Sequence, residues 1–93
     1  MKKILVVEDS FNLRGNLKDK GAVFGGVLET DVNLYFGLPV LVVFPDGRQI
    51  NTEIIGWEQF SKRFFPAKTY AAFLLKDLDR NDVPINSEIY FDQ

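Results

Sequence analysis

Four glycines, Gly15, Gly21, Gly25 and Gly26, fall between positions 15 and 26 of this chain and rule out a long helix after its first apolar run. Each glycine inside a helix costs about 1 kcal/mol relative to alanine, so a helix through this region could not propagate. What the glycines separate are short runs rich in β-branched and aromatic residues. Ile4 to Val7 is one, continued in alternation by Phe11 and Leu13. Ala22 to Glu29 is another, and the Gly25-Gly26 pair inside it marks a bulge or a close backbone approach.

The later half follows the same grammar. Pro39 to Phe44 is a continuous apolar strand, and Pro45-Asp46-Gly47-Arg48 is a tight-turn signal. Beyond it, Ile50, Thr52 and Ile54 alternate with Asn51, Glu53 and Ile55, completing a hairpin. Gly56 to Thr69 is open to two readings. Trp57, Phe60, Phe64 and Phe65 lie near helical spacing, which allows a short helix that Pro66 would stop. Tyr70 to Leu78 is an apolar run with a helical alternative through Ala71, Ala72, Leu74, Leu75 and Leu78. Asn81 to Pro84 is a turn, and Ser87 to Phe91 a closing strand with Ile89 and Phe91 on one side. Six short strands with turns between them predict an all-β fold, a small closed Greek-key-like barrel with no exposed sheet edge. Residues 1–93 form one domain, without repeat or linker.

Composition removes whole classes of function. The chain has neither Cys nor His, so disulfides, thiolate metal sites and the commonest general base are all absent. Thirteen acids against eleven bases give a formal net charge of −2, without the footprint of non-specific nucleic-acid binding. No segment is long and apolar enough to span a membrane. Lys2-Lys3 before an apolar run resembles a signal-peptide start, but Glu8-Asp9 ends that run early, and the cytoplasm is the expected location. No catalytic constellation emerges, and no cofactor is expected. Glu8, Asp9 and Glu58 could hold a hard cation, but their spacing does not demand one.

Two resemblances compete for the opening segment. A hydrophobic strand ending in Glu8-Asp9 resembles the first strand of a response-regulator receiver domain, whose acidic pair binds metal. That fold needs an amphipathic helix where the glycines stand. It also needs a phospho-accepting Asp at a strand end, and Asp46 sits inside a turn instead.

The second resemblance runs along most of the chain. Val7-Glu-Asp-Ser-Phe-Asn-Leu-Arg-Gly15 is similar to the Val-Glu-Asp-x-Phe-x-Ile-x-Gly strand that opens the β-barrel second domain of elongation factor Tu and related translational GTPases. Gly21-Ala-Val-Phe-Gly-Gly-Val-Leu-Glu29 stands in register with that family's Gly-x-Val-x-x-Gly-x-x-Glu. Gly37 with Val40 to Val43, the hairpin into Thr52 to Ile55, Gly56-Trp-Glu-Gln-Phe60 and Phe73-Leu-Leu-Lys-Asp-Leu-Asp-Arg80 follow in order. The chain departs from the family in the extra Asn16 to Lys20, in Ala67 to Ala72, and around Asn86-Ser87. It contains no phosphate-binding Gly-x-x-x-x-Gly-Lys-Ser/Thr loop, so GTP is not an expected partner.

The resemblance implies a non-enzymatic binding module in or near translation, with RNA or a protein as partner. In the family this barrel holds the aminoacyl end of charged tRNA. Carried over, the pocket comprises Glu8, Asp9, Phe11, Leu13, Gly15, Val23, Glu58 and Leu74, with apolar groups against the base and a carboxylate on the ribose. Gly25 stands where the family commonly has Thr, and Tyr70 near a polar position. Phe11, Leu13, Val23 and Leu74 also read as ordinary barrel core, and Glu8-Asp9 as a solvated loop start. A second candidate surface is Lys62, Arg63, Phe64, Phe65 and Lys68, a basic-aromatic patch for RNA or an acidic partner. Its alternative is a barrel plug of Phe residues with the cations in water. A different class of function is a small antagonist or immunity-type protein that copies an elongation-factor surface.

Overall fold

The structure is a computed structural model and describes residues 1–12, 21–62 and 68–92. Among the described residues seven strands occur: β1 (Lys2–Val6), β2 (Asp9–Asn12), β3 (Gly21–Val27), β4 (Leu38–Val43), β5 (Gln49–Lys62), β6 (Lys68–Lys76) and β7 (Glu88–Phe91). A single turn of 3-10 helix, Arg80–Asp82, precedes β7, and no α-helix occurs among the described residues. Every ladder is antiparallel, in the order β1-β7-β4-β5-β6-β3-β2, and the sheet curls into a half-barrel. The receiver fold, with its helices and parallel strands, is thereby excluded.

Curling brings β1 against β3. The Glu29 N–H donates to the Ile4 carbonyl at 2.7 Å and the Glu8 N–H to the Gly25 carbonyl at 2.8 Å, so β1 lies along β3. Gly26 makes this possible, because a Cβ there would collide with the Val6 carbonyl. The close backbone approach expected from the glycine pair is therefore real, and the second glycine carries it.

The core lines the inner face. Ala22, Phe24, Ala71, Phe73 and Leu75 point inward from β3 and β6, Ile54 from β5, Val40 and Val42 from β4, Ile89 from β7 and Ile4 from β1. Leu28, Val32 and Leu34, from the connection after β3, pack against this cluster. The β4–β5 hairpin forms as expected. The Gly47 N–H donates to the Phe44 carbonyl at 2.9 Å, and Gly47 has φ +92°, a left-handed conformation that closes the turn without strain. Asp46 accepts from the Arg48 amide and guanidinium and is held below the usual carboxylate range chiefly by the amide bond.

Four expectations need correction, the first being that no sheet edge is exposed: beyond Ile54, β5 has a neighbouring strand on one side only among the described residues. Seven strands occur rather than six, because the opening run breaks after Val6 and resumes at Asp9 beside β3. As far as Lys62 the helix allowed after Gly56 does not form, and Phe64 and Phe65 lie outside the described residues: β5 continues through Lys62 and pairs with β6 from Gly56↔Leu74 to Lys62↔Lys68, after a bulge at Ile55. Helical spacing of Trp57 and Phe60 loses there to a ladder formed with a strand distant in sequence. The helical alternative for Tyr70 to Leu78 fails likewise, since β6 is flanked on both sides by β3 and β5.

Candidate functional site

On the central strands one parity faces the core and the other faces out. Inward Ala22, Phe24, Phe73 and Leu75 are buried, so Val23 and Gly25 on β3 and Ala72 and Leu74 on β6 belong to the outer face. Cross-strand register extends this face on both sides. Asp9↔Gly25, Gly25↔Ala72 and Glu58↔Ala72 form one row across β2, β3, β6 and β5. Phe11↔Val23, Val23↔Leu74 and Gly56↔Leu74 form the next.

Five of the eight carried-over residues, Asp9, Phe11, Val23, Glu58 and Leu74, therefore share two adjacent rows of one outward face. Phe11 is 52% exposed, and Val23 and Leu74 are half-buried. The core reading of these three gives way, because their strand parity is opposite to that of Phe24 and Phe73. Glu8 is the exception among the acids. Its exposed carboxylate accepts from the Val27 N–H at 3.1 Å through Oε2 and satisfies a β3 edge amide beyond the reach of β2. Leu13 and Gly15 lie outside the described residues.

Asp9 and Glu58 stand at opposite ends of their row, three strand spacings or about 14 Å apart. That distance is too great for one cation or one shared proton, and no group of three potential metal ligands occurs among the described residues. Asp9 also accepts from the Ser10 amide at 2.8 Å. Between the two carboxylates the floor is Gly25 and Ala72, the smallest side chains available. Tyr70 borders it: a Cβ at Gly25 would meet the Tyr70 ring at 3.2 Å. Burial, then the Glu8 and Asp9 carboxylates, push the Tyr70 phenol up, so it stays neutral at any physiological pH. The face is a shallow apolar shelf bounded by carboxylates.

Sequence reasoning passed over the small floor residues, although the Ala71-Ala72 pair in an apolar run was a signal for them. Of the basic-aromatic candidate, Arg63, Phe64 and Phe65 lie outside the described residues. Lys62 and Lys68 are register partners at the end of the β5–β6 ladder, and Lys68 is exposed. No helix among the described residues is long and apolar enough to cross a membrane. No protein-family model, curated protein or solved structure matches the chain.

Proposed function

We propose that the chain is a non-enzymatic binding module, a closed barrel similar to the second domain of elongation factor Tu, whose outer face takes the end of an RNA or a segment of a protein partner. The observation carrying this reading is the convergence of Asp9, Phe11, Val23, Glu58 and Leu74 from four strands onto two neighbouring rows. The backbone bonds from Glu29, just after β3, to Ile4 of β1, and from Glu8, just after β1, to Gly25 of β3, support the closed form. An exposed aromatic beside aliphatic side chains can stack a base, and Glu58 can accept from a ribose hydroxyl.

The two rows carry no lysine or arginine, so the shelf suits an uncharged nucleoside end better than a phosphate chain. The same absence favours one further reading, an antagonist that offers its carboxylates to a basic protein surface in competition with an elongation factor. Titration with a short single-stranded RNA ending in adenosine, followed by amide chemical shifts, tests the first. The pair Phe11→Ala and Glu58→Ala should weaken binding at least about tenfold, since one stacked base is worth about 1–3 kcal/mol. Unchanged affinity in the double variant would refute the shelf as the site. Capture from lysate with and without ribonuclease separates the readings: ribonuclease-sensitive capture favours RNA, and a stoichiometric protein that survives it favours the antagonist.

A further inference from the structure

Strand β5 outruns its neighbour on one side. Pairing with β4 ends at Leu38↔Ile54, and the Gly37 N–H donates to the Ile54 carbonyl at 2.8 Å. From Gly56 to Lys62 the strand is bonded to β6 on one side, and no strand among the described residues occupies the other. Alternation fixes which amides face outward. The Thr69 carbonyl accepts from the Leu28 N–H on the β3 side, so Tyr70, Ala72 and Leu74 turn their backbone groups toward β5. Their partners Phe60, Glu58 and Gly56 therefore bond to β6, and Trp57, Gln59 and Ser61 present N–H and C=O groups to the open edge.

Natural edges of this length are interrupted by proline, a bulge or repeated lysines. This one has no proline, its bulge lies before Gly56, and its one lysine is at the far end. Exposed apolar residues adjoin its near end: Trp57 at 40%, and Tyr35 and Phe36 at 53% and 76% immediately before Gly37.

We propose that this edge pairs with the same edge of a second copy of the chain, antiparallel about a two-fold axis at Phe60. The charge pattern selects that occupant and that register. Centred on Phe60, the register position of Glu58 in each copy falls opposite that of Lys62 in the other, so the sequence sets an acid against a base at both symmetric pairs. Gln59 then exchanges two backbone bonds with Ser61 of the second copy, and Ser61 two with its Gln59. A register centred on Glu58 would set that carboxylate against itself, and one centred on Gln59 would leave both charges unpaired. The small net charge of −2 opposes association only weakly.

Sedimentation velocity over a concentration series tests the pairing. The wild-type chain should pass from monomer to dimer with rising concentration. Glu58→Lys and Lys62→Glu, each placing like charges across both symmetric pairs, should each weaken the dimer at least about tenfold. The doubly swapped chain should recover wild-type association, because it restores opposite charges. Hydrogen exchange on the unaltered chain gives an independent reading: the Trp57, Gln59 and Ser61 amides should gain protection as concentration rises. A chain that stays monomeric at millimolar concentration, single swaps without effect, or a double swap that fails to rescue overturns the proposal. Persistent monomer would assign the edge to a strand from another protein. A wild-type chain that dimerises but takes up no RNA, or whose RNA affinity survives the Phe11→Ala, Glu58→Ala pair, counts against the shelf alone.

Discussion

Two adjacent glycines do different things. Gly26 sits where β1 crosses β3, with no room for a Cβ against the backbone of Val6. Backbone cannot rotate aside as a side chain can, so Gly26→Ala should cost about 2–4 kcal/mol, the range of overpacking with backbone displacement. A Cβ at Gly25 would instead meet a side chain, the Tyr70 ring, at 3.2 Å, a contact relieved by a shift of a few tenths of an ångström, and Gly25→Ala should cost about 1 kcal/mol. Urea denaturation of the two variants checks the contrast, and equal losses would contradict it. Sequence announced the pair as a close approach. It could not announce which glycine meets backbone, because that depends on where β1 passes.

At the scale of elements, the β1–β7 ladder is clasped by a small polar group. Lys3 Nζ donates to Glu88 Oε2 at 3.2 Å, Tyr90 Oη donates to Glu88 Oε1 at 3.0 Å, and Glu29 lies 3.8 Å from Lys3. The Tyr90 hydrogen bond, and then Lys3, hold the Glu88 carboxyl below its ordinary value. The bonded Glu88 carboxylate raises both Lys3 and Tyr90. A lowered carboxyl contributes stability above its unfolded pKa and loses it as pH falls through the folded one. Raised Lys and Tyr groups contribute below their unfolded pKa values and lose that contribution as pH climbs through the folded ones. The clasp therefore operates between about pH 4 and pH 10 and fails on either side. Thermal melts of wild type and Glu88→Gln should differ modestly near neutrality, since the group is solvent-accessible, and should converge below about pH 3. A difference that persists in acid would contradict this assignment.

Element prediction from sequence succeeded where local chemistry was decisive. Pro45-Asp46-Gly47 fixed the hairpin, and the alternation of Ile89 and Phe91 fixed the inward face of β7. It left Gly56 to Lys62 undecided, because isolated periodicity cannot weigh a ladder to Lys68–Leu74 that forms only when the chain folds back.

For the whole molecule, the pairing of Lys2 with Phe91 means that the sheet is complete only once the first and last strands have met. Such non-local ladders make loop closure a large part of the folding barrier. Refolding measured by stopped flow should take milliseconds to seconds rather than the microseconds of a helical bundle of this size. Complete recovery in microseconds would contradict a barrier set by β1–β7 closure.

The candidate shelf was only partly legible for the same reason. Phe11, Val23 and Leu74 could be named from motif positions, but the core reading led for them until Phe24 and Phe73 were seen to occupy the inner face. Glu8 was named with Asp9 as a ligand group, yet its carboxylate serves the Val27 amide. The sequence by itself determined the β4–β5 hairpin and the lack of a helix through its glycine-rich segment, because turn residues and glycines act locally. Tertiary structure alone decided that β5 runs on to an open edge and which parity of each strand faces water. Those outcomes depend on register between strands far apart in the chain, where a shift of one residue exchanges the two faces.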